Sequence, residues 1–427
     1  MTLQQAVSMA LEKNPEHKMA AADTKVAAAD VGEARSALLP HATFSETATE
    51  GNDPVYVFGS RLRQQSFATA DFALNALNTP EPFANFDTRF SGSWNLFDSF
   101  ASWRNVRRAE RVKEASAQQL DRTDQQIVFR VIGAYYGVLL AKKELEVAQG
   151  AIGTAQSILE RSQNRVESGV AVQSDELSAQ VRMASRKQEL IRAQNNLSMA
   201  RAELTAAMGV SGESDFDATE MLTERELPAA SLEEMEKAAM EKRPDLKGLR
   251  LREAAQEQSV AMAKSAFGPR VSAFGSWGAD NPTFVAGGGG TNWLAGVEVQ
   301  MDLFQGGAKK AELASARAAE QKVAATREAA TNGIRLEVQK AYYELDALRQ
   351  QIAVSRASIA EAQESLRINQ NRYESGLIAI TDLLAAEEAA RRSEADYWEA
   401  IYHSYVGYAN LELASGTLSA QSAVVAP

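Results

Sequence analysis

The chain has 427 residues, a formal net charge of −11 at pH 7 and no cysteine. The acidic balance argues against a nucleic-acid partner, because no basic face large enough to neutralise phosphates is evident. The lack of cysteine excludes disulfides, thiolate metal sites and cysteine nucleophiles. No run of about eighteen apolar residues occurs, so no helix is predicted to span a bilayer.

The chain contains an internal repeat. Residues Gln163–Gly169 read QNRVESG and recur as QNRYESG at Gln370–Gly376, an offset of 207 residues. Upstream, Asn14-Pro15 matches Arg243-Pro244 at an offset of 229, so the first repeat carries 22 extra residues. A gapless register held over such a distance indicates two copies of one structural unit.

Each repeat is predicted to begin with amphipathic helices and to continue, after a strand pair, with a long helix. In the first repeat the stretch 2–39 is amphipathic, and Pro15 suits the first turn of a second helix. From about 98 to 168 there is no proline, and large apolar residues recur every seven positions. Such a heptad specifies a left-handed supercoiled seam, and about 70 helical residues would extend roughly 100 Å. The row consists of Val131, Val138, Leu145, Ile152, Leu159 and Val166, repeated as Val338, Leu345, Ile352, Ile359, Leu366 and Tyr373.

Each long helix is predicted to end in a Ser-Gly step and to be followed by a helix that runs back antiparallel to it. Gly169 and Gly376 suit the C-cap position of the long helices. A few residues later, Ser174 and Thr381 are predicted hydroxyl N-caps, each followed by a carboxylate. Each repeat is therefore expected to be a long helical hairpin with a strand pair at the opposite end.

Two strand pairs are predicted, one before each long helix. Residues 41–50 alternate weakly, 88–97 alternate well, 270–279 are rich in glycine and aromatics, and 292–303 give the clearest pattern. Period two with one apolar and one polar face indicates half-buried strands. The apolar face, which we expect to contact lipid, includes Trp94, Trp293, Val297 and Val299. The polar face, which we expect to line a pore, includes Arg89, Asn95, Glu298, Gln300 and Asp302.

Four strands with an outward apolar face cannot form a soluble sheet alone. Strands of about ten residues match the length needed to cross a bilayer at the usual tilt. Open sheet edges in hydrocarbon are prohibitively costly, so the barrel has to close between chains. Two copies would give eight strands, and three would give twelve and leave an aqueous bore, which the polar face favours. A soluble sandwich is the competing fold.

This combination resembles the TolC family of outer-membrane efflux and secretion channels. The most specific matches are the two hairpin tips, Arg165-x-x-Ser168-Gly169 leading to Asp175, and the run Arg372–Leu384. The resemblance implies a mainly α chain with a membrane β-barrel. Its duplicated long helical hairpins form an α-barrel tunnel, and its four β-strands close as a 12-stranded barrel in a homotrimer.

The resemblance also implies the role and the partners of the chain. It implies an exit duct in the cell outer membrane that extends into the periplasm, with no catalytic chemistry and no cofactor. The duct would dock to a periplasmic adaptor, or membrane fusion protein, and through it to an inner-membrane pump of the RND, ABC or MFS type. The residues Met1 to Gln5 lack the pattern of a signal peptide. We therefore expect a mature form whose leader has been removed, the alternative being a cytoplasmic protein.

At the tips, the resemblance gives three residues a gating role. Asp382 matches a constricting carboxylate ring, Asp175 is its repeat equivalent, and Tyr373 matches an aromatic residue that bonds a neighbouring hairpin's acid. Alternatively, the carboxylates only complement helix N-termini, and Tyr373 only packs in its heptad row. Ile378 and Ala385 depart from the family pattern, which carries an arginine and a second acid there in some members, so we expect this tip to close less tightly or to use another lock.

Adaptor docking is assigned to the tip loops, at Gly169, Val170, Gly376 and Leu377, although glycines there also suit a simple turn. The 22-residue excess falls between residues 40 and 96 and is rich in phenylalanine. We expect it to pack as a lid on the extracellular mouth, where it could be a phage or colicin target. The three histidines are dispersed, so no metal site is predicted, and the glycine run 287–290 lacks the residues of a phosphate loop.

The predicted function is the exit duct of a tripartite efflux pump or type I secretion system. The alternative is a soluble coiled-coil scaffold or periplasmic adaptor with a small β-domain. Drugs, metal ions and proteins all remain open as exported substrates. The predicted organisation is a first repeat at 1–209 (β-hairpin about 41–97, helical hairpin 98–208), a connecting equatorial segment at 210–230, a second repeat at 231–416 (β-hairpin about 270–303, helical hairpin 305–413) and a tail at 417–427.

Overall fold

The computed structural model describes residues 1–210, 216–228, 230–284 and 288–425. Parts of the predicted connecting segment 210–230, of the glycine run 287–290 and of the tail 417–427 lie outside the described residues. The helices are α1 Leu3–Lys13, α2 Pro15–Ser36, α3 Pro54–Arg63, α4 Leu74–Asn78, α5 Ala101–Glu167, α6 Gln173–Ala207, α7 Leu232–Lys242, α8 Pro244–Ser265, α9 Ala308–Glu374 and α10 Ile380–Ser415. The strands are β1 His41–Gly51, β2 Phe83–Phe97, β3 Arg270–Asn281 and β4 Gly290–Gln300.

The element bounds confirm the internal duplication. Helices α5 and α9 have 67 residues each and begin 207 positions apart. Helices α1 and α7 have 11 residues each, and α2 and α8 have 22 each, at the offset of 229. The extra segment of the first repeat contains α3, α4 and a short 3₁₀ turn at Thr69–Phe72. It is therefore structured, as its aromatic content predicts.

Local sequence chemistry fixes the equivalent helix ends in both repeats. The side chains of Thr2 and Ser231 each form a capping box at the start of α1 and α7. Pro15 and Pro244 stand at the first position of α2 and α8, where the missing N–H costs nothing. The same composition in both copies therefore starts and breaks the helices at matching places.

The first compact unit comprises Met1–Thr24, Ala115–Leu249 and Thr326–Pro427, so it draws on both repeats. Its core holds the heptad residues Val131, Val138, Val338 and Leu345, which confirms the predicted apolar row. Tyr136 and Tyr405 stack in this core with ring centroids 4.2 Å apart. The apolar row is therefore buried at these heptad positions, whereas Leu145, Ile152, Leu159 and Val166 of the same row are half-buried in the single chain.

The second compact unit comprises Lys25–Glu114 and Arg250–Ala325 and contains an antiparallel sheet of order β1-β2-β3-β4. Strand β2 begins at Phe83, earlier than the alternation from 88 predicts. Strand β4 ends at Gln300, so the extension of the predicted strand to 303 is wrong. Gln300 pairs with Arg270, which follows Pro269. A proline has no N–H to donate to a ladder, and the pairing therefore stops there.

Candidate functional site: the helical tips and the two faces of the sheet

Both long helices end in the same glycine turn. Gly169 and Gly376 each have φ +72°, a left-handed conformation that glycine adopts without strain. Val170 N donates to Arg165 O at 3.0 Å, and Leu377 N donates to the Arg372 carbonyl at 2.9 Å. Gly169 N also donates to Val166 O at 2.9 Å, and Gly376 N donates to Tyr373 O at 3.0 Å. Both turns therefore have the two hydrogen bonds of a Schellman motif, and the predicted C-caps are confirmed.

The predicted hydroxyl N-caps of the returning helices are wrong. Helix α6 begins at Gln173 after the cap residue Val172, and α10 begins at Ile380 after Ala379. Neither cap residue offers a side-chain bond, and Ser174 and Thr381 already lie inside the first helical turn. The Schellman turn sets the chain direction before the hydroxyls are reached, so both helices start two residues earlier than the cap chemistry suggests.

The two predicted gate carboxylates occupy equivalent positions at the tips. Asp175 and Asp382 are the third residues of α6 and α10. Each therefore lies in the first turn, where the helix dipole favours a negative charge. In the single chain Asp382 is exposed and Asp175 is half-buried. The Asp382 carboxylate is thus open to solvent in the single chain, while it also complements its own helix.

Tyr373, the third predicted gate residue, is 2% exposed and packs against Ile158, Ile380 and Leu383. Its hydroxyl is enclosed and has no hydrogen-bond partner among the described residues. The guanidinium of Arg165 lies 4.9 Å from the centre of its ring. Within one chain, the side chain therefore does the seam packing that its heptad position predicts.

Arg165 joins the two hairpins, a role that the sequence motif alone does not reveal. It donates from Nη1 to the carbonyl oxygens of Tyr373 and Glu374, both at 2.8 Å. Arg161, one turn earlier on α5, also forms an ion pair with the Glu374 carboxylate. Cations at a helix C-terminus satisfy its unpaired carbonyls, and α5 thereby caps α9. The repeat equivalent of Arg165, Arg372, is exposed instead.

A buried ion-pair cluster joins α6 to α10 and was not predicted. Arg186 is fully buried and pairs with Glu387, Glu388 and Glu189. Hydrogen bonding from Arg391 holds the pKa of Glu388 down, to about 2 from 4.5, against the opposing effect of burial. The sequence does contain a pattern that could have indicated this cluster. Ala179, Met183 and Arg186 follow the 4-3 spacing of residues that pack in a helix seam, so Arg186 occupies a position expected to be apolar.

The sheet separates apolar from polar side chains as predicted. Directly opposed residues share a face, and Trp277 stands opposite Trp293 while Phe90 stands opposite Trp277. The four predicted lipid-facing residues are all on this face. In the single chain they are exposed by 45% for Trp94, 77% for Trp293, 64% for Val297 and 69% for Val299. An exposed apolar surface of this kind marks contact with lipid or another protein.

Four of the five predicted pore-lining residues lie on the opposite face. Arg89 pairs with Asp87 at 2.9 Å, and Asn95 donates to Asp98 at 3.0 Å. Glu298 and Gln300 are exposed. The fifth, Asp302, lies beyond the end of β4, and its assignment to a strand is wrong. Its main-chain oxygen instead accepts a bond from Lys309 Nζ at 3.0 Å.

Two further observations concern membranes and metals. None of the helices in the described part of the chain combines the length and apolarity needed to cross a membrane. Among the same residues, no three His, Asp or Glu side chains come together in a metal-binding group. The prediction that the chain binds no metal and no cofactor stays a prediction.

Comparison with known proteins identifies related sequences. Residues 6–210 and 237–417 match the family described as outer membrane efflux protein. The chain is 30% identical to outer membrane protein OprJ of Pseudomonas aeruginosa over 140 residues, which are 32% of this chain and 29% of OprJ. It is 23% identical to outer membrane protein TolC of Escherichia coli, over 98% of this chain and 83% of that protein.

A solved structure shows the same fold. The outer membrane protein VceC of Vibrio cholerae superposes with a TM-score of 0.81 at 20% identity. The superposition covers 97% of this chain and 96% of VceC. The paired helical hairpins and the four-stranded sheet are therefore a known combination, as the sequence pattern predicts.

Proposed function

Because this chain belongs to the outer membrane efflux protein family, we propose that it forms the exit duct of a tripartite efflux pump or secretion system. It is an outer-membrane channel protein that extends into the periplasm, and it is not an enzyme. Proteins of this family act together with a periplasmic adaptor and an inner-membrane pump. A soluble scaffold, the alternative from sequence, does not fit this membership.

The observation that carries the proposal is the four-stranded sheet with one exposed apolar face. Strands β1 and β4 are its edges within the described residues. Edge strands in hydrocarbon leave backbone groups unpaired, at a cost of several kcal/mol each. Three chains that join edge to edge would close twelve strands around a polar bore and remove every edge. We therefore propose a homotrimer with Trp94, Trp293, Val297 and Val299 facing lipid.

Two measurements test the duct. Native mass measurement in a mild detergent should give three chains per particle. Planar-bilayer recordings of the same particle should give ion currents. A different stoichiometry would contradict the trimer, and the lack of current under every gating condition would contradict the channel.

We further propose that the tips carry the gate, with Asp382 as its charged ring and Asp175 as a second contributor. The exposure of Asp382 in the single chain supports its facing the axis. Asp382→Asn should reduce the cation selectivity of the current, and Asp175→Asn should reduce it less. Tyr373 could act in the gate only if its enclosed hydroxyl becomes exposed, so Tyr373→Phe should leave selectivity unchanged. Equal selectivity in all three variants and the unmodified protein would refute the carboxylate gate.

Adaptor docking is proposed at the glycine turns, where Val170 and Leu377 are 64% and 69% exposed. Exposed apolar side chains next to a glycine allow a partner helix to approach closely. Leu377→Glu should abolish efflux-dependent resistance in cells while single-channel conductance stays the same. The control is Val354→Glu, an equally exposed site within α9. A loss of resistance in both variants would contradict docking at the turn.

A further inference from the structure

Helix α3, in the extra segment of the first repeat, lies on the polar face of the sheet. Gln64 follows the last residue of α3, and its Nε2 donates to Asn85 Oδ1 at 2.8 Å and to Ala84 O at 2.9 Å. Asn85 is four residues before Arg89 on β2, and residues an even number apart share a face. The bond therefore places the end of α3 on the side of the proposed pore-lining residues.

Strand β4 gives a second, independent contact with the same end of α3. Gly290 stands opposite Asp280, which stands opposite Asp87, so the three positions share the polar face. A Cβ built on Gly290 would lie 1.6 Å from the main-chain oxygen of Arg63. The α3 backbone thus presses directly on the polar face at β4, and only glycine leaves room for it.

A chain of buried polar side chains connects these two contacts. Asp280 is fully buried and accepts from Asn85 Nδ2 at 2.7 Å and from Asn292 Nδ2 at 3.0 Å. Gln64 therefore reaches both strand β3 and strand β4 through Asn85. Buried groups that satisfy one another in this way fix a single arrangement.

Aromatic contacts hold the rest of the segment in the same place. The guanidinium of Arg61 lies 4.8 Å from the ring centre of Phe83, which shares the face of Asn85. Tyr56 donates its hydroxyl to Thr49 O at 2.7 Å. Phe58, Phe67 and Phe72 pack together, with centroids 4.8 to 6.5 Å apart.

These contacts all lie at one end of the strands. They involve the last residues of β1 and β3 and the first residues of β2 and β4, which the hairpin connections join. The other end of the sheet is the one at which β2 and β4 lead into α5 and α9. In an outer-membrane barrel, the hairpin end is the extracellular mouth.

We propose that α3 projects into the bore at the extracellular mouth and limits the size of the solute that leaves. This inference rests on the proposed function, because the polar face lines a bore only in a closed barrel. Each subunit contributes one α3, so three copies narrow the mouth. Val55 and Leu62 are 81% and 61% exposed in the single chain. They lie seven positions apart on the side of α3 opposite the buried Val57 and Ser60, and we place them at the constriction.

The cysteine-free chain allows a direct test. Single variants Val55→Cys and Leu62→Cys are reconstituted in planar bilayers and treated with a bulky, charged methanethiosulfonate reagent. Because the bore of a twelve-stranded barrel is narrow, three added groups should lower the current at least about twofold. The control is Val297→Cys on the apolar face, where the same reagent should leave the current unchanged.

A second pair of variants tests the anchoring of α3. Asn85→Ala removes the bridge from Gln64 to Asp280, and it should raise the conductance of the unlabelled channel. Gly59→Ala is the matched control, since a Cβ there meets no atom within 4 Å, and its conductance should stay that of the unmodified channel.

The labelling and conductance results distinguish a failure of the α3 proposal from a failure of the proposed channel function. If mass measurement shows full labelling of Val55→Cys and Leu62→Cys but the current is unchanged, α3 does not lie in the bore, and the inference is overturned while the channel stands. An unlabelled trimer that carries no current would overturn the proposed function itself.

Discussion

The guanidinium of Arg186 on α6 donates two hydrogen bonds to the carboxylate of Glu387 on α10, from Nε at 3.0 Å and from Nη2 at 2.6 Å. Both side chains are buried, at 0% and 2% exposure. The returning helices of the two repeats are therefore joined by a buried charge pair, with Arg182, Glu189 and Glu388 next to it. Replacing only one of the two residues leaves the charge of the other buried without its main partner. A single substitution is therefore expected to cost more stability than replacing both residues with apolar ones.

We predict that Arg186→Met lowers the stability of the α6–α10 contact by up to about 3–5 kcal/mol, because the buried Glu387 would lose both hydrogen bonds from Arg186 and keep only Arg182, 3.9 Å away, as a cationic neighbour. The double variant Arg186→Met with Glu387→Met should recover most of that loss, since apolar side chains of similar volume fill the seam. Hydrogen–deuterium exchange of α6 and α10 measures both. If the double variant exchanges as fast as the single one, the pair does not act as a coupled unit.

The cluster should also respond to acid. The folded pKa of Glu388, about 2, lies below its ordinary value of 4.5, chiefly through the hydrogen bond from Arg391. Its contribution to stability is therefore complete above about pH 4.5 and is lost as the pH falls towards 2. The other charges in this cluster are Arg182, Arg186, Glu189 and Glu387.

Thermal unfolding at pH 7, 5, 4 and 3, followed by circular dichroism, checks this expectation. The melting temperature of Glu388→Gln should fall less steeply between pH 5 and 3 than that of the unmodified protein. The control is Glu364→Gln, at an exposed pair with Arg367, which should keep the original slope. If the melting temperatures of Glu388→Gln and of the unmodified protein fall equally steeply with pH, the ionised Glu388 does not contribute to the acid sensitivity of the fold.

Gly416 should tolerate substitution less well than Gly169, although both have positive φ. Alanine at either site adopts a left-handed conformation at about 1–2 kcal/mol. At Gly416 a Cβ would also lie 2.7 Å from Arg243 Cα, whereas at Gly169 it meets nothing within 4 Å. Denaturant unfolding in one detergent should therefore give a larger midpoint shift for Gly416→Ala. Equal midpoint shifts for the two variants would show that Arg243 moves away from the added Cβ without a cost in stability.

Arg165→Ala should loosen the tip. The variant loses two charged hydrogen bonds to the end of α9, and about 1.5–3 kcal/mol is typical for each such bond when it is well shielded from water. If the gate lies at the tips, its open probability in planar bilayers should rise. Arg372→Ala, at the exposed repeat equivalent, should leave it unchanged. A matching rise in both variants would mean that α5 does not hold α9 closed.

The sequence by itself determined the elements and their duplication. Seven-residue spacing produced the helix seam, as in Val131 and Val138, because a helix places those positions on one side. Glycine at 169 and 376 ended both long helices, since it alone enters the left-handed turn without strain. Alternation on β4 placed Trp293 and Glu298 on opposite faces, because strand geometry has period two.

Only the tertiary structure decided which distant groups meet. The pairing of Arg186 with Glu387 and the capping of α9 by Arg165 join residues about two hundred positions apart, and no local preference encodes such contacts. The end of β4 at Gln300 depended on Pro269, which immediately precedes its partner strand β3, so the alternation pattern alone predicted a strand that is too long. The sequence also did not reveal which face of the sheet α3 covers. That face depends on the register of β2, β3 and β4 and on the close contact between Gly290 and the Arg63 backbone.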